Sequence, residues 1–125
     1  MILDTNGLSA WFDGDPSIIR VLSNQPMLAL PVIVLGEYQY GLHGSRLRTI
    51  LEPRLFQLER LLRVLDITRE TAKAYATVRS ELKRTGKLIP ANDAWIAALA
   101  IEHGMPVLSR DTHFDHVPGL KRVGW

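Results

Sequence analysis

The sequence predicts an α/β fold of three layers (α/β/α), with helices on both faces of a central, mostly parallel sheet of four to five strands. Short apolar runs of strand length alternate with amphipathic stretches of helix length along the chain. Parallel strands joined by crossover helices require that order. The 125 residues are 46% hydrophobic and 22% charged, an ordinary globular balance. A chain of this size buries roughly two-thirds of its unfolded surface, enough for one core. With no repeat, linker or low-complexity segment in view, residues 1–125 are expected to form a single domain.

The elements follow from local chemistry. Met1 to Leu3 reads as a short buried strand, and Leu8 to Asp13 as a helical turn closed by the Asp13-Gly14-Asp15-Pro16 break. Ser17 to Ser23 is a helix with Asp15 as N-cap and Pro16 at its first position. Asn24-Gln25-Pro26 ends it, and Met27 to Leu30 forms a second strand. Pro31 opens a helix to about Leu42, with Gly41 and Gly44 helping to end it. Leu47, Leu51, Leu55, Leu58 and Leu62 keep helical spacing between Ser45 and Arg63, and Pro53 is expected to divide or kink that segment. Val64 to Ile67 is a third strand. Thr68 caps a long amphipathic helix to Thr85, stopped by Gly86. Asn92 is expected to cap the helix that Asp93 begins, and Gly104 to stop it. Val107 to Ser109 makes a fourth strand and Leu120 to Val123 a candidate fifth.

Four acids stand against apolar segments, where a carboxylate needs compensation. Asp4 ends Met1-Ile2-Leu3, Glu37 interrupts the run after Val32, Asp93 opens Ala94 to Ile101, and Asp111 follows Val107-Leu108-Ser109. Each has a structural reading. Asp93 suits the first turn of a helix through the macrodipole, Asp4-Thr5-Asn6-Gly7 suits a turn, and Asp111 suits a cap near Thr112. Glu37 shares the face of Ile33 and Tyr40, which is harder to explain by solvation. Strand ends in an open α/β sheet form the ligand-binding edge. Acids converging there would make an oxygen-lined pocket for a hard divalent cation.

Composition narrows the classes further. No run approaches the roughly 20 apolar residues of a membrane span, and Met1-Ile2-Leu3 meets an acid at once, so neither a membrane segment nor a signal peptide is expected. Cysteine is absent, which excludes disulfides and thiolate metal sites and suits a reducing cytoplasm. Net charge is only +2, but the cations cluster: Arg46, Arg48 and Arg54 form one group, and Arg79, Lys83, Arg84 and Lys87 another. Basic patches beside an acidic pocket suit a polyanion brought to a metal. Arg46, Arg48, Lys87 and Arg110 are the candidate phosphate contacts, although such residues often form a solvated helix face. His113 and His116, three apart beside Asp111 and Asp115, invite a zinc site, which needs three or four such ligands brought together, but they read as loop histidines. Trp95 reads as core. No phosphate-binding glycine loop or serine–histidine–acid arrangement is present.

The ordered segments Leu3-Asp4-Thr5-Asn6, Val34-Leu35-Gly36-Glu37-Tyr38, Pro90-Ala91-Asn92-Asp93-Ala94-Trp95-Ile96-Ala97-Ala98 and Leu108-Ser109-Arg110-Asp111-Thr112-His113-Phe114, with the closing Pro118-Gly119-Leu120-Lys121-Arg122-Val123, resemble the PIN domain family. More narrowly they resemble its VapC-type toxins. Gly7 departs from the aliphatic residue more usual there and is expected to loosen packing after the first strand. The resemblance implies a PIN-like fold and a metal-dependent endoribonuclease, the toxin of a toxin–antitoxin pair. It implies that Asp4, Glu37, Asp93 and Asp111 hold one or two Mg²⁺ or Mn²⁺ ions, whose bound water attacks phosphorus. Thr5, Ser109 and Asn92 would orient a carboxylate or phosphate, and Asp115 would assist from outside. It implies tRNA or ribosomal RNA as substrate, a cognate antitoxin covering the acids, a homodimer and a cytoplasmic location. The helices between Pro31 and Arg63 are the expected contact surface. Two other readings remain: a non-catalytic RNA- or protein-binding module, which should have lost acids, and a Mg²⁺-dependent phosphatase, which should carry an acid where Asn6 stands.

Overall fold

The computed structural model describes residues 1–125. Five parallel strands are ordered β3-β2-β1-β4-β5: β1 Ile2–Leu3, β2 Ala29–Pro31, β3 Arg63–Leu65, β4 Val107–Leu108 and β5 Arg122–Val123. Six helices connect them, α1 Thr5–Phe12, α2 Pro16–Ser23, α3 Val32–His43, α4 Arg48–Leu61, α5 Arg69–Thr85 and α6 Ala91–His103, with a 3₁₀ turn at Thr112–His116. The α/β expectation holds, with all five strands parallel. The central strands β1, β2 and β4 are buried throughout because helices cover both faces of the sheet. One cluster of 27 buried apolar residues, from Met1 to Val117, forms the core.

Ile2 lies opposite both Ala29 and Val107. From β1 the chain steps outward through β2 to β3, then returns to place β4 on the other side of β1. The order therefore reverses between β1 and β4, and a crevice forms beyond their carboxyl ends. Asp4 and Ser109 are the residues that follow those two strands.

Several boundaries differ from the expectations. α1 begins at Thr5, three residues early, because Asp4 is extended and its Oδ1 accepts the Thr5 amide at 2.7 Å. α6 is capped by Pro90 in extended backbone, so Asn92 lies inside the helix. A proline N-cap forgoes a side-chain bond but fits the fixed φ just before a helix. α4 runs unbroken through Pro53, which is solvent-exposed; water can satisfy the carbonyl that loses its amide partner. Met27 and Leu28 fall outside β2, and Asp66 and Ile67 fall outside β3. The long helix ends as read: Thr68 and Thr71 exchange capping bonds, and Gly86 takes φ +71°, where glycine carries no Cβ penalty. Gly7 tightens packing rather than loosening it. A Cβ there would stand 3.0 Å from Leu3 Cδ1 and 3.2 Å from the Leu108 carbonyl, so the missing side chain lets α1 press onto the sheet.

Candidate functional site

Asp4 is the most deeply placed of the four acids, 5% exposed. Besides capping α1, its Oδ2 accepts the Ser109 hydroxyl at 2.6 Å and the Asn6 amide at 3.2 Å. Ser109, wholly buried after β4, also receives the Asp111 amide at 2.9 Å through Oγ. Asn6 closes the ring by accepting the Arg110 amide at 3.2 Å. The loops after β1 and β4 are thus stitched together through an acid, a serine and an asparagine.

Glu37 enters from the middle of α3 and Asp93 from the first turn of α6. Asp111 caps the 3₁₀ turn, its Oδ1 accepting the His113 amide at 2.9 Å. That turn folds the His113 ring back, so that Nδ1 lies 2.9 Å from Asp111 Oδ1 and 3.1 Å from Asp93 Oδ2. One donor atom from each of Asp93, Asp111 and His113 lies within 4.8 Å of the others, a cluster that could hold a metal ion.

The charges converge. Burial raises the Asp4 pKa, with Asp111 adding to the rise and the Ser109 and Thr5 hydrogen bonds opposing it. Burial also raises Glu37, reinforced by Asp4 and Asp93. Asp93 is raised by burial, then held back by His113, and raised again by Asp111 and Asp4. His113 is raised in turn, chiefly by its bond to Asp93. Each of these acids is penalised by its neighbours, as a pocket of like charges requires. The Thr5 and Asn92 side chains face Glu37 and partly favour its ionised form. Even so, Glu37 Oε1 and the Thr5 hydroxyl are buried without a hydrogen-bond partner. Unpartnered buried oxygens cost free energy unless a ligand or ion meets them, and an all-carboxylate set with one imidazole suits a divalent cation. Clefts of about 250 and 410 Å³ open on either side of Glu37. A larger hollow of about 490 Å³, lined by Arg79, Ser80, Lys83 and Leu88, contains no acid.

Other residues singled out in the sequence lie differently. Asp115 does not join the acids: Arg122 holds it in a two-point ion pair at 2.8 and 3.0 Å and donates to the Ser109 carbonyl at 3.1 Å. Arg48 is bound to Glu52 at 2.7 Å. Arg110 reaches Asp15 at 3.4 Å and stacks 4.6 Å over the Trp125 ring. Arg46 and Lys87 are exposed and form no ion pair. Trp95 is half-buried and stacked on Tyr75, centroids 3.8 Å apart. His116 sits beside Asp115 and away from the cluster, so the two histidines do not share a site. Sequence reasoning missed the roles of Asn6 and Arg122, and it weighed His113 as a zinc ligand with His116 but read it as a loop histidine, whereas it lies against Asp93 and Asp111. A local signal for this placement of His113 was Asp111: an aspartate able to cap a tight turn points the ring two residues later back at itself.

Comparison with known proteins gives a consistent picture. The PIN domain profile matches residues 1–120. The chain is 32% identical to VapC ribonuclease Y4jK of Sinorhizobium fredii, over 96% of this chain and 93% of that protein. It is 32% identical to toxin FitB of Neisseria gonorrhoeae, over 90% and 88%. The fold superposes on the crystal structure of VapBC2 from Rickettsia felis, bound to a DNA fragment from their promoter, with TM-score 0.86, 26% identity and coverage of 99% and 97%. It superposes on FitAcB from Neisseria gonorrhoeae with TM-score 0.87, 29% identity and coverage of 97% and 94%.

Proposed function

This chain belongs to the PIN domain family, and on that premise we propose that it is a VapC-type toxin, an endoribonuclease of a toxin–antitoxin pair. The observation that carries the reading is the convergence of Asp4, Glu37, Asp93 and Asp111 at the sheet's switch point, with one Glu37 oxygen left unpartnered. Relatives sharing about 30% of residues over most of the chain are named ribonucleases, and the VapBC and FitAB structures support an antitoxin partner.

In this reading the four acids hold one or two Mg²⁺ or Mn²⁺ ions. A cation held there would supply a lowered pKa for water attacking phosphorus and would neutralise charge on the phosphate and leaving oxygen. The chain's own contribution is preorganisation. Ser109, Asn6 and the Thr5 amide fix both oxygens of Asp4 before any ligand arrives. Glu37 Oε1, with no competing donor, accepts a hydrogen bond from water or takes the cation. The Thr5 and Asn92 side chains face Glu37 and favour its ionised form without closing a hydrogen bond to Oε1. Arg46 and Lys87, free of ion pairs, meet RNA phosphates, whereas Arg48 and Arg110 must first leave their partners. Asp115 acts at a remove, by holding the Arg122 that grips the Ser109 carbonyl.

The substrate on this reading is a structured RNA of the tRNA or ribosomal class, and a homodimer with a cognate antitoxin is the resting assembly, in the cytoplasm. No helix is long and apolar enough to cross a membrane. Tyr40, Leu47, Ile50, Phe56 and Leu61 are exposed on or beside α3 and α4 and support a protein contact there. A phosphatase is disfavoured because Asn6, bonded to Asp4, stands where its acid should be. A binding module has no reason to keep four mutually repelling acids. The test is digestion of total cellular RNA by the purified chain with Mg²⁺ or Mn²⁺. Discrete fragments are expected, lost with EDTA and with Asp4→Asn. Cleavage that survives both controls would overturn the assignment.

A further inference from the structure

Resting on the four-acid reading, we propose that His113 is a further metal ligand. Its Nδ1 makes the site a mixed nitrogen–oxygen one that takes a transition-metal dication, Mn²⁺ included, in preference to Mg²⁺. Nδ1 already lies 2.9 Å from Asp111 Oδ1 and 3.1 Å from Asp93 Oδ2. Two ligands at right angles on an ion about 2.1 Å away stand about 3.0 Å apart. The ring nitrogen therefore stands from each carboxylate oxygen at the spacing of an adjacent ligand, and the three donor atoms all lie within 4.8 Å of one another.

The orientation is built in. Ser109 Oγ receives the Asp111 amide, and Asp111 Oδ1 receives the His113 amide, so two successive bonds set the turn that aims the ring. Packing does not require this pose, because the His113 side chain is 45% exposed. The neighbouring His116 sits beside Asp115 instead, so the placement is particular to one histidine. Mg²⁺ favours hard oxygen and retains its water, whereas imidazole binds later first-row ions more strongly. A nitrogen donor beside two carboxylates shifts the preference toward those ions.

The experiment is Mn²⁺ binding to the purified full chain, followed by electron paramagnetic resonance with spin-echo detection of nitrogen hyperfine coupling. The native protein is expected to bind Mn²⁺ and to show that coupling. His113→Asn should abolish the coupling and weaken Mn²⁺ binding by about tenfold or more, judged from the losses that even outer partners cause. Mg²⁺ affinity, read by competition, should change by less than about threefold, because oxygen donors dominate for Mg²⁺; its retention also reports that the variant is folded. Tight Mn²⁺ binding without nitrogen coupling, or coupling that persists in His113→Asn, overturns the role of His113 and leaves the four acids standing. Failure of the native chain to bind either ion overturns both.

Discussion

Asp93→Asn separates a convergent metal pocket from a chance gathering of acids, because its effect should reverse sign with the metal. Asp93 and Asp111 each present an oxygen within 4.8 Å of the other. At an effective dielectric near 20, two charges at that distance repel by about 3 kcal/mol, and Asp4 adds to the repulsion. Against this stands the attraction to His113 at 3.1 Å, which the variant loses only in part, because an asparagine oxygen still accepts from Nδ1–H. His113 also keeps Asp111 at 2.9 Å. Allowing for water around these half-buried groups, the net gain without metal is about 1 kcal/mol, or about 4 °C in a domain of this size. With Mn²⁺ at a hundred times its dissociation constant, the native chain should gain about 2.7 kcal/mol by mass action, and the variant much less. The assay is thermal unfolding of both proteins, in EDTA and in Mn²⁺. Asp93→Asn should melt higher in EDTA and lower in Mn²⁺. Equal destabilisation in both conditions would refute the argument and leave Asp93 as a helix-terminus acid.

Two further outcomes follow from the same geometry. Ser109→Ala strips the buried Asp4 Oδ2 of its shortest bond and leaves the partly buried Asp111 amide without its acceptor; urea unfolding should show a loss of about 2 kcal/mol, with metal affinity reduced as well. The pH dependence has a definite sign. Burial raises Asp4, Glu37 and Asp93 above their ordinary values of 3.8, 4.5 and 3.8, so the folded state binds these protons more tightly than the unfolded one. Their contribution is full below the unfolded values and lost as pH climbs through the raised ones. Asp15 and Asp115, lowered by their partners, lose their contribution only as pH falls below 3.8. In EDTA the melting temperature should therefore fall as pH rises from about 4.5 toward neutrality, and Glu37→Gln should flatten that slope. A melting temperature that rises over this range, unchanged by the substitution, would contradict the pocket's electrostatics.

What the sequence determined by itself is what short stretches of chain decide. Thr68, Gly86 and Gly104 terminate helices through bonds and φ angles confined to a few residues, and the apolar runs of β1, β2 and β4 reveal burial by composition alone. The four acids were legible for the same reason, since a carboxylate beside an apolar segment is anomalous wherever the chain goes. Local reasoning failed where two local answers were equally good. Asn92 has the side chain of a cap, but the helix begins two residues earlier behind Pro90, which leaves Asn92 inside it. Pro53 should have broken α4, but Leu55 and Leu58 are buried and anchor the helix across the missing rung. Tertiary structure alone decided who meets whom. Ser109 reaches Asp4 across 105 positions and His113 reaches Asp93 across 20, and no pattern in sequence encodes such a pairing. Arg48, Arg110 and Asp115 looked available because a charged residue always does until its partner is placed. Only the folded chain says which charges are already neutralised and which remain for a ligand, because Coulomb energy depends on distance through space and not along the chain.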